Sequence, residues 1–306
     1  MCGIVYRKSF LNENVSQSIL QMYKNQRSRG TQGFGFYIPK TDKIKHETIE
    51  KNMVKLLKRT NANEILFHHR MPTSTDNVIN ACHPFEVKIG KKKYVVVHNG
   101  YLFNDYVLKE KHYKMGYKYS SIQPDGKFND SEALAYDIAL TLSGKQKKLK
   151  AEGAIAFIAQ SEGKIYFGRN SQSPLHYHIN DKFVTIRSEG KGMNIKPDTL
   201  YTFYKGKLTE RDFKIPEYTY AGYNTGWSDG YGQTYSDPIY DDDDYLERYE
   251  TYSSTAEIDR EIAKTQQKMT DCDNKNDYDG FMDAEWKLED LLYQRDLLTR
   301  RREFAL

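Results

Sequence analysis

The chain has 306 residues, of which 38% are hydrophobic and 29% charged, with a mean hydropathy of -0.80. That is polar for one compact globule, so part of the length is expected to be linker or solvated helix. No apolar run approaches the ~18 residues of a membrane span, and no basic segment leads into an apolar one, so neither a membrane helix nor a secretory signal is expected. The three cysteines, Cys2, Cys82 and Cys272, are odd in number and widely spaced, which argues against a disulfide scaffold and for a reducing, cytoplasmic setting.

Strands are expected at residues 4–6, 33–38, 65–69, 94–98, 154–159, 164–168, 183–187 and 200–204, where β-branched and aromatic residues concentrate. Helices are expected at 15–28, 48–60, 103–112 and 131–142, the last opened by Asp130 or Ser131 as N-cap. From about 154 onward the strands are joined by short turns (Ser161-Glu162-Gly163, Asn180-Asp181, Lys205-Gly206), which favours antiparallel sheet. The pattern points to an α+β sandwich, not a doubly wound sheet.

The net charge of +4 conceals an asymmetry: residues 1–216 hold 36 Lys+Arg against 20 Asp+Glu, while residues 217–306 hold 10 against 22. A basic body is compatible with nucleic acid. The lysine runs 91–93 and 145–150, however, fall at expected turns and helix ends, so a solvated role is the better reading. Residues 217–252 carry nine of the 25 tyrosines and the run Asp241-Asp242-Asp243-Asp244. They show neither strand nor helix periodicity, which suits a linker or an acidic, tyrosine-rich docking strip. Residues 253–306 turn helical, opening with the capping box Ser254-Thr255-Ala256-Glu257. Ile258, Ile262, Thr265 and Met269 share one face, and Phe281, Trp286, Leu288, Leu291, Leu292 and Leu298 form a second stripe. A helical hairpin fits, and it needs a surface to dock on: the body, a second copy in a homo-oligomer, or another protein. The intervening Asp271, Asp273, Asp277 and Asp279 lack the glycine and glutamate spacing of a calcium loop.

Cys2 draws attention by its place. Removal of Met1 would leave a thiol and a free α-amino group on one residue, both titrating near neutrality, so proton transfer between them needs little driving force. Met1-Cys2-Gly3-Ile4-Val5 is followed by Arg29-Gly30-Thr31-Gln32-Gly33-Phe34-Gly35, His68-His69-Arg70-Met71-Pro72-Thr73-Ser74 and Asn80-Ala81-Cys82-His83-Pro84-Phe85. Val97-His98-Asn99-Gly100, Asn129-Asp130-Ser131-Glu132, Gly153-Ala154-Ile155-Ala156 and Ser173-Pro174-Leu175 come after these. The order and spacing of these motifs over residues 2–213 resemble the class II glutamine amidotransferases, the glutaminase domains of the N-terminal-nucleophile hydrolases.

The resemblance implies a four-layer αββα sandwich over residues 1–216 and a cofactor-free glutaminase. In that reading Cys2 attacks the side-chain amide of L-glutamine to form a thioester, and Asn99 and Gly100 form the oxyanion hole. Arg70 holds the substrate α-carboxylate, Asp130 its α-ammonium, and Thr73 contributes nearby. Taken alone, Asn99-Gly100 reads as a hairpin turn after the strand at 94–98. Four histidines lie between 68 and 98, but His68 and His69 are neighbours on a strand and face opposite ways, so no metal is expected. Met71 and Pro72 depart from relatives that make sugar phosphates, and Cys82 stands as an extra, small buried residue. Residues 217–306 carry no phosphate loop and no acceptor domain. Ammonia would therefore pass to an acceptor enzyme on a separate chain, such as an ATP-dependent ligase. The competing reading is a catalytically idle domain that acts as an interaction protein through its C-terminal helices.

Overall fold

A computed structural model describes residues 2–72, 74–217 and 255–274, and the single positions 284, 287, 288, 291, 292 and 295. The chain falls into two compact units, one ending at Gly222 and the other starting at Tyr223.

The first unit begins with β1 (Gly3–Ser9), α1 (Ser16–Asn25), β2 (Phe34–Ile38), β3 (Lys43–Glu47), α2 (Glu50–Arg59) and β4 (Glu64–His69). Next come β5 (Phe85–Ile89), β6 (Lys92–Leu102), α3 (Asp105–Lys114), α4 (Asp130–Leu142), β7 (Gly153–Ser161) and β8 (Lys164–Arg169). It closes with β9 (His176–Ile179), β10 (Phe183–Arg187), β11 (Met193–Asn194), β12 (Thr199–Tyr204) and β13 (Lys207–Asp212). Seven strands form one sheet in the order β11-β9-β10-β1-β4-β2-β3, and six form the other in the order β13-β12-β8-β7-β6-β5. Neighbouring strands are antiparallel, as in the pairs β1 with β4, β1 with β10 and β6 with β7. The sheets meet where β1 and β4 touch β6; α1 and α2 lie on the first sheet, while α3 packs on α4 and α4 on β5 and β6. This is the four-layer αββα sandwich that the sequence resemblance implies.

Side-chain alternation builds two cores. On β7, Ile155, Phe157 and Ala159 face the helices α3 and α4, while Ala156 and Ile158 enter the space between the sheets. β6 does the same, with Tyr94 and Val96 on one side and Val95 and Val97 on the other. Being covered on both faces, β7 is buried at every residue, which is why it reads as a continuous apolar run.

The helix α4 begins one residue earlier than the sequence suggests. Asn129 is the N-cap, its side chain accepting from the Ser131 amide, so Asp130 is released from capping and becomes the first helical residue. Asn99-Gly100 is not a hairpin turn, because β6 runs on through it to Leu102. The strands β3, β5, β9, β11 and β13 were not expected. β3, β9 and β13 are polar strands stabilised by backbone pairing, with little buried side chain. β5 does alternate, with Phe85, Val87 and Ile89 buried and Glu86 and Lys88 exposed.

In the second unit, α5 (Thr255–Asn274) buries Ile258, Thr265 and Cys272 on one face. Lys287 pairs with Glu261 at 3.3 Å, and Arg295 with Asp259 at 2.7 Å, which ties the later helical positions to α5. Most of the expected second helix, the 217–252 strip apart from Glu217, and Ser254 of the capping box lie outside the described residues. No helix among the described residues is long and apolar enough to cross a membrane.

Asn170 fastens the end of β7. Its Oδ1 accepts from the Ile155 amide at 3.1 Å and its Nδ2 donates to the Gly153 carbonyl at 2.6 Å. Asn170→Ala leaves both groups buried and unpaired, with an expected loss of about 2–3 kcal/mol in urea unfolding. A loss below about 0.5 kcal/mol would mean that this side chain does not hold the strand.

Candidate active site

The motif residues gather at one end of the two sheets. Cys2 is buried just ahead of β1, its Sγ 3.7 Å from the Met71 carbonyl that accepts from it. Burial pushes the thiol above its ordinary value; the nearby Arg70 charge pulls it down and Asp130 pushes it up. Those two charges therefore act on the sulfur with opposite sign.

Arg29 organises the centre. It is 7% exposed and sits in the short 3-10 turn of residues 27–29. Its Nε donates to the Cys2 carbonyl at 2.9 Å, Nη2 to Asn99 Oδ1 at 3.4 Å, and Nη1 to Glu189 Oε1 at 2.6 Å. One planar guanidinium thus spans the start of β1, the middle of β6 on the opposite sheet and the loop after β10. Sequence reasoning gave Arg29 no role, although it heads the Arg29-Gly30 motif; an arginine before glycine at a turn carries no signal that its fork is buried.

Asn99 is fully buried, and its Nδ2 has no hydrogen-bond partner. Because Arg29 claims the amide oxygen, the unused N–H donors are aimed away from Arg29. A buried donor without an acceptor is costly unless something transient fills the need. The Gly100 amide is set by the ladder. Gly100 lies opposite Ile155, whose own N–H and C=O both turn to Asn170. Gly100 and Ile155 therefore form a non-hydrogen-bonded pair, and the Gly100 N–H points away from β7. On that side β5 ends opposite Val96, and Leu102, two residues on, donates to Asp130 Oδ2 at 2.9 Å. Gly100 has φ of +141°, and a Cβ there would stand 1.7 Å from the Ala154 carbonyl oxygen, so no other residue fits.

Asp130 is buried at the N-terminus of α4, its Oδ1 accepting from Ser74 Oγ at 3.2 Å and from the Ser131 amide at 2.9 Å. Arg70, buried beyond β4, donates from Nη1 to the Asp76 carbonyl at 3.0 Å and from Nη2 to Thr75. Those acceptors are neutral: among the described residues no carboxylate forms an ion pair with the Arg70 guanidinium. Thr73 lies outside the described residues.

The histidines are structural in their contacts. His68 reaches the opposite sheet, at 3.2 Å from the His98 carbonyl, and stacks on His83 at 3.8 Å between ring centroids. His69 turns the other way, to the Gly30 carbonyl at 2.7 Å and edge-on to Tyr23 of α1. Burial lowers the pKa of all three, that of His69 to about 4. His98 holds Ser131 Oγ at 2.8 Å. Cys82 is fully buried, and burial raises its thiol to about 11. Among the described residues no three His, Cys, Asp or Glu side chains meet as a metal site.

No protein-family model and no curated protein matches this sequence. Solved structures do. One described as the allosteric regulatory enzyme of purine biosynthesis matches with a TM-score of 0.53 and 16% identity, over 71% of this chain and 50% of that one. Glutamine phosphoribosylpyrophosphate amidotransferase from B. subtilis, complexed with ADP and GMP, gives 0.52 and 16% over 70% of this chain and 50% of that one. This chain spans about half the length of either. The fold is shared with these two enzymes, as the sequence resemblance to class II glutamine amidotransferases implies.

The charges around Cys2 give a test. Alkylation by iodoacetamide, followed by mass spectrometry against pH, is expected to have a midpoint above the ordinary thiol value of about 8.5. Arg70→Met should raise that midpoint, because it removes a charge that favours the thiolate. Asp130→Asn should lower it. Identical midpoints in the three proteins would show that neither charge acts on the sulfur.

Proposed function

We propose that this chain is a glutaminase subunit that hydrolyses L-glutamine to glutamate and ammonia through Cys2. With Met1 removed, the α-amino group of Cys2 takes the thiol proton as Sγ attacks the side-chain amide carbon of glutamine. The negative charge that develops on the amide oxygen is met by Asn99 Nδ2 and the Gly100 N–H. Collapse of the intermediate expels ammonia, which carries away the proton held by the amine, and leaves a glutamyl thioester. Water then attacks the thioester carbonyl, releasing glutamate and restoring the thiol.

The observation that carries this reading is the unpartnered Asn99 Nδ2, buried and oriented by the same guanidinium that grips the Cys2 carbonyl. Arg70 and Asp130 supply opposite charges beside the sulfur, which suits the two charged ends of a free amino acid. Thr73 is assigned to substrate binding in this proposal on the sequence resemblance alone. Ammonia passes to an acceptor enzyme on a separate chain, for which an ATP-dependent ligase is a fitting class. Residues 217–252 and 253–306 serve as the means of docking or self-association. This reading needs no cofactor or metal and places the chain in the cytoplasm.

Cys2→Ala is expected to abolish glutamate release from glutamine while leaving the unfolding midpoint unchanged; hydrolysis that survives it would refute the mechanism. Asn99→Ala should lower kcat about 10²–10³-fold with little change in KM, since its donors act on charge present only in the transition state. Arg70→Lys should act chiefly on KM, because an ammonium cannot reproduce the bidentate fork. A mutant that reversed these two patterns would reverse the assigned roles.

A further inference from the structure

The outer face of the first sheet holds a second concave site, formed by its register. Arg7 on β1 pairs with Thr185 on β10, which pairs with His178 on β9; one row over, Val5 pairs with Arg187, which pairs with His176. Alternation puts all of these on the face opposite the inter-sheet core, the side on which α1 packs. Met22 of α1 also lines the cavity, whose volume is about 250 Å³. Lys191, Tyr177 and the Phe183 ring complete the lining, which includes no carboxylate.

The two guanidiniums are half-buried and held by neutral groups. Arg7 lies 3.9 Å over the Phe183 ring, and its Nη1 donates to Thr185 Oγ1 at 2.8 Å. Arg187 donates from Nη2 to the Lys191 carbonyl at 2.8 Å. Its guanidinium occupies the space that a Cβ on Gly190 would need, at 2.5 Å from Cζ, and Gly190 has φ of +108°. Most of the donors on both forks remain unspent. Neither arginine nor Lys191 forms an ion pair among the described residues, and the neighbouring carboxylate, Glu189, is engaged with Arg29. Burial and the charge of Arg187 both work against the charge on Arg7. Like charges packed on a sheet face destabilise it, so the arrangement carries an electrostatic cost that an anion would relieve.

We propose that this cavity binds the phosphate group of a small phosphorylated molecule, gripped by Arg7, Arg187 and Lys191 with Thr185, His176 and His178 around it. Two planar forks suit the tetrahedral, multiply accepting oxygens of a phosphate. The aromatic and thioether surfaces of Phe183 and Met22 give the body of the ligand an apolar wall. The volume is below the ~300–1,000 Å³ of sites for drug-sized ligands, which favours a small phosphorylated body over an extended polymer.

The test is calorimetric titration of the full chain at low ionic strength with inorganic phosphate, glucose 6-phosphate, ATP and a single-stranded DNA oligonucleotide. Saturable one-to-one binding of at least one phosphate compound is expected, weakened about tenfold or more by both Arg187→Gln and Lys191→Ala. A preference for glucose 6-phosphate or ATP over inorganic phosphate identifies a sugar or a nucleoside as the body. Lys191 is exposed, so its variant should keep the unfolding midpoint and remain informative where Arg187→Gln disturbs folding. Absence of saturable binding by all three phosphates, binding unaffected by the two variants, or binding of the oligonucleotide alone would each overturn the proposal.

Discussion

The buried guanidinium of Arg29 is the constraint on which the site depends. Burying a charge far from water is expensive unless its donors are satisfied. Arg29 satisfies them across three separate parts of the chain: the Cys2 carbonyl, the Asn99 amide oxygen and the Glu189 carboxylate. The consequence runs in both directions. The arginine tolerates burial because those acceptors surround it, and they hold their geometry because the fork is planar and fixed. Cys2 precedes the first strand of one sheet, and Asn99 belongs to the other, so the clamp also fixes how the two sheets meet at this end.

The sheets supply what a single side chain cannot. Antiparallel pairing decides not only which residues are neighbours but which way each backbone N–H points. At Gly100 the outcome depends on Asn170, two strands away, which takes both backbone groups of Ile155 and so leaves the Gly100 amide turned from the ladder. Asp130 repeats the lesson. Capping of α4 by Asn129 frees the aspartate to accept from Leu102, on the same side of β6 as the Gly100 amide. The same logic on the outer face of the first sheet brings Arg7 and Arg187 together, residues 180 positions apart in sequence that share a face because β1 lies beside β10.

Much of the fold was legible. The apolar runs of β4, β6 and β7 and the helices near 16–25, 50–59 and 130–142 are written in hydrophobic pattern, because those elements bury one face or both. The polar strands β3, β9 and β13 were not, since backbone pairing stabilises them and leaves little trace in side-chain chemistry. Within the site, Cys2, Arg70, Asn99, Gly100 and Asp130 were singled out by motif and are brought to one end of the sandwich. Arg29 was overlooked, and the turn reading of Asn99-Gly100 taken alone was wrong, because local sequence cannot show where a strand's partner stops.

By itself, then, the sequence determined the identity and order of the chemical groups, the α+β sandwich class and the basic and acidic halves. These are properties of composition, periodicity and spacing along the chain. Tertiary structure alone decided that Asn99 keeps a buried donor unspent, that Gly100 faces off the ladder, and that five basic and imidazole side chains share one cavity without a carboxylate. Those facts depend on register and burial. Both are set by contacts between residues tens to nearly two hundred positions apart, and no local pattern encodes them.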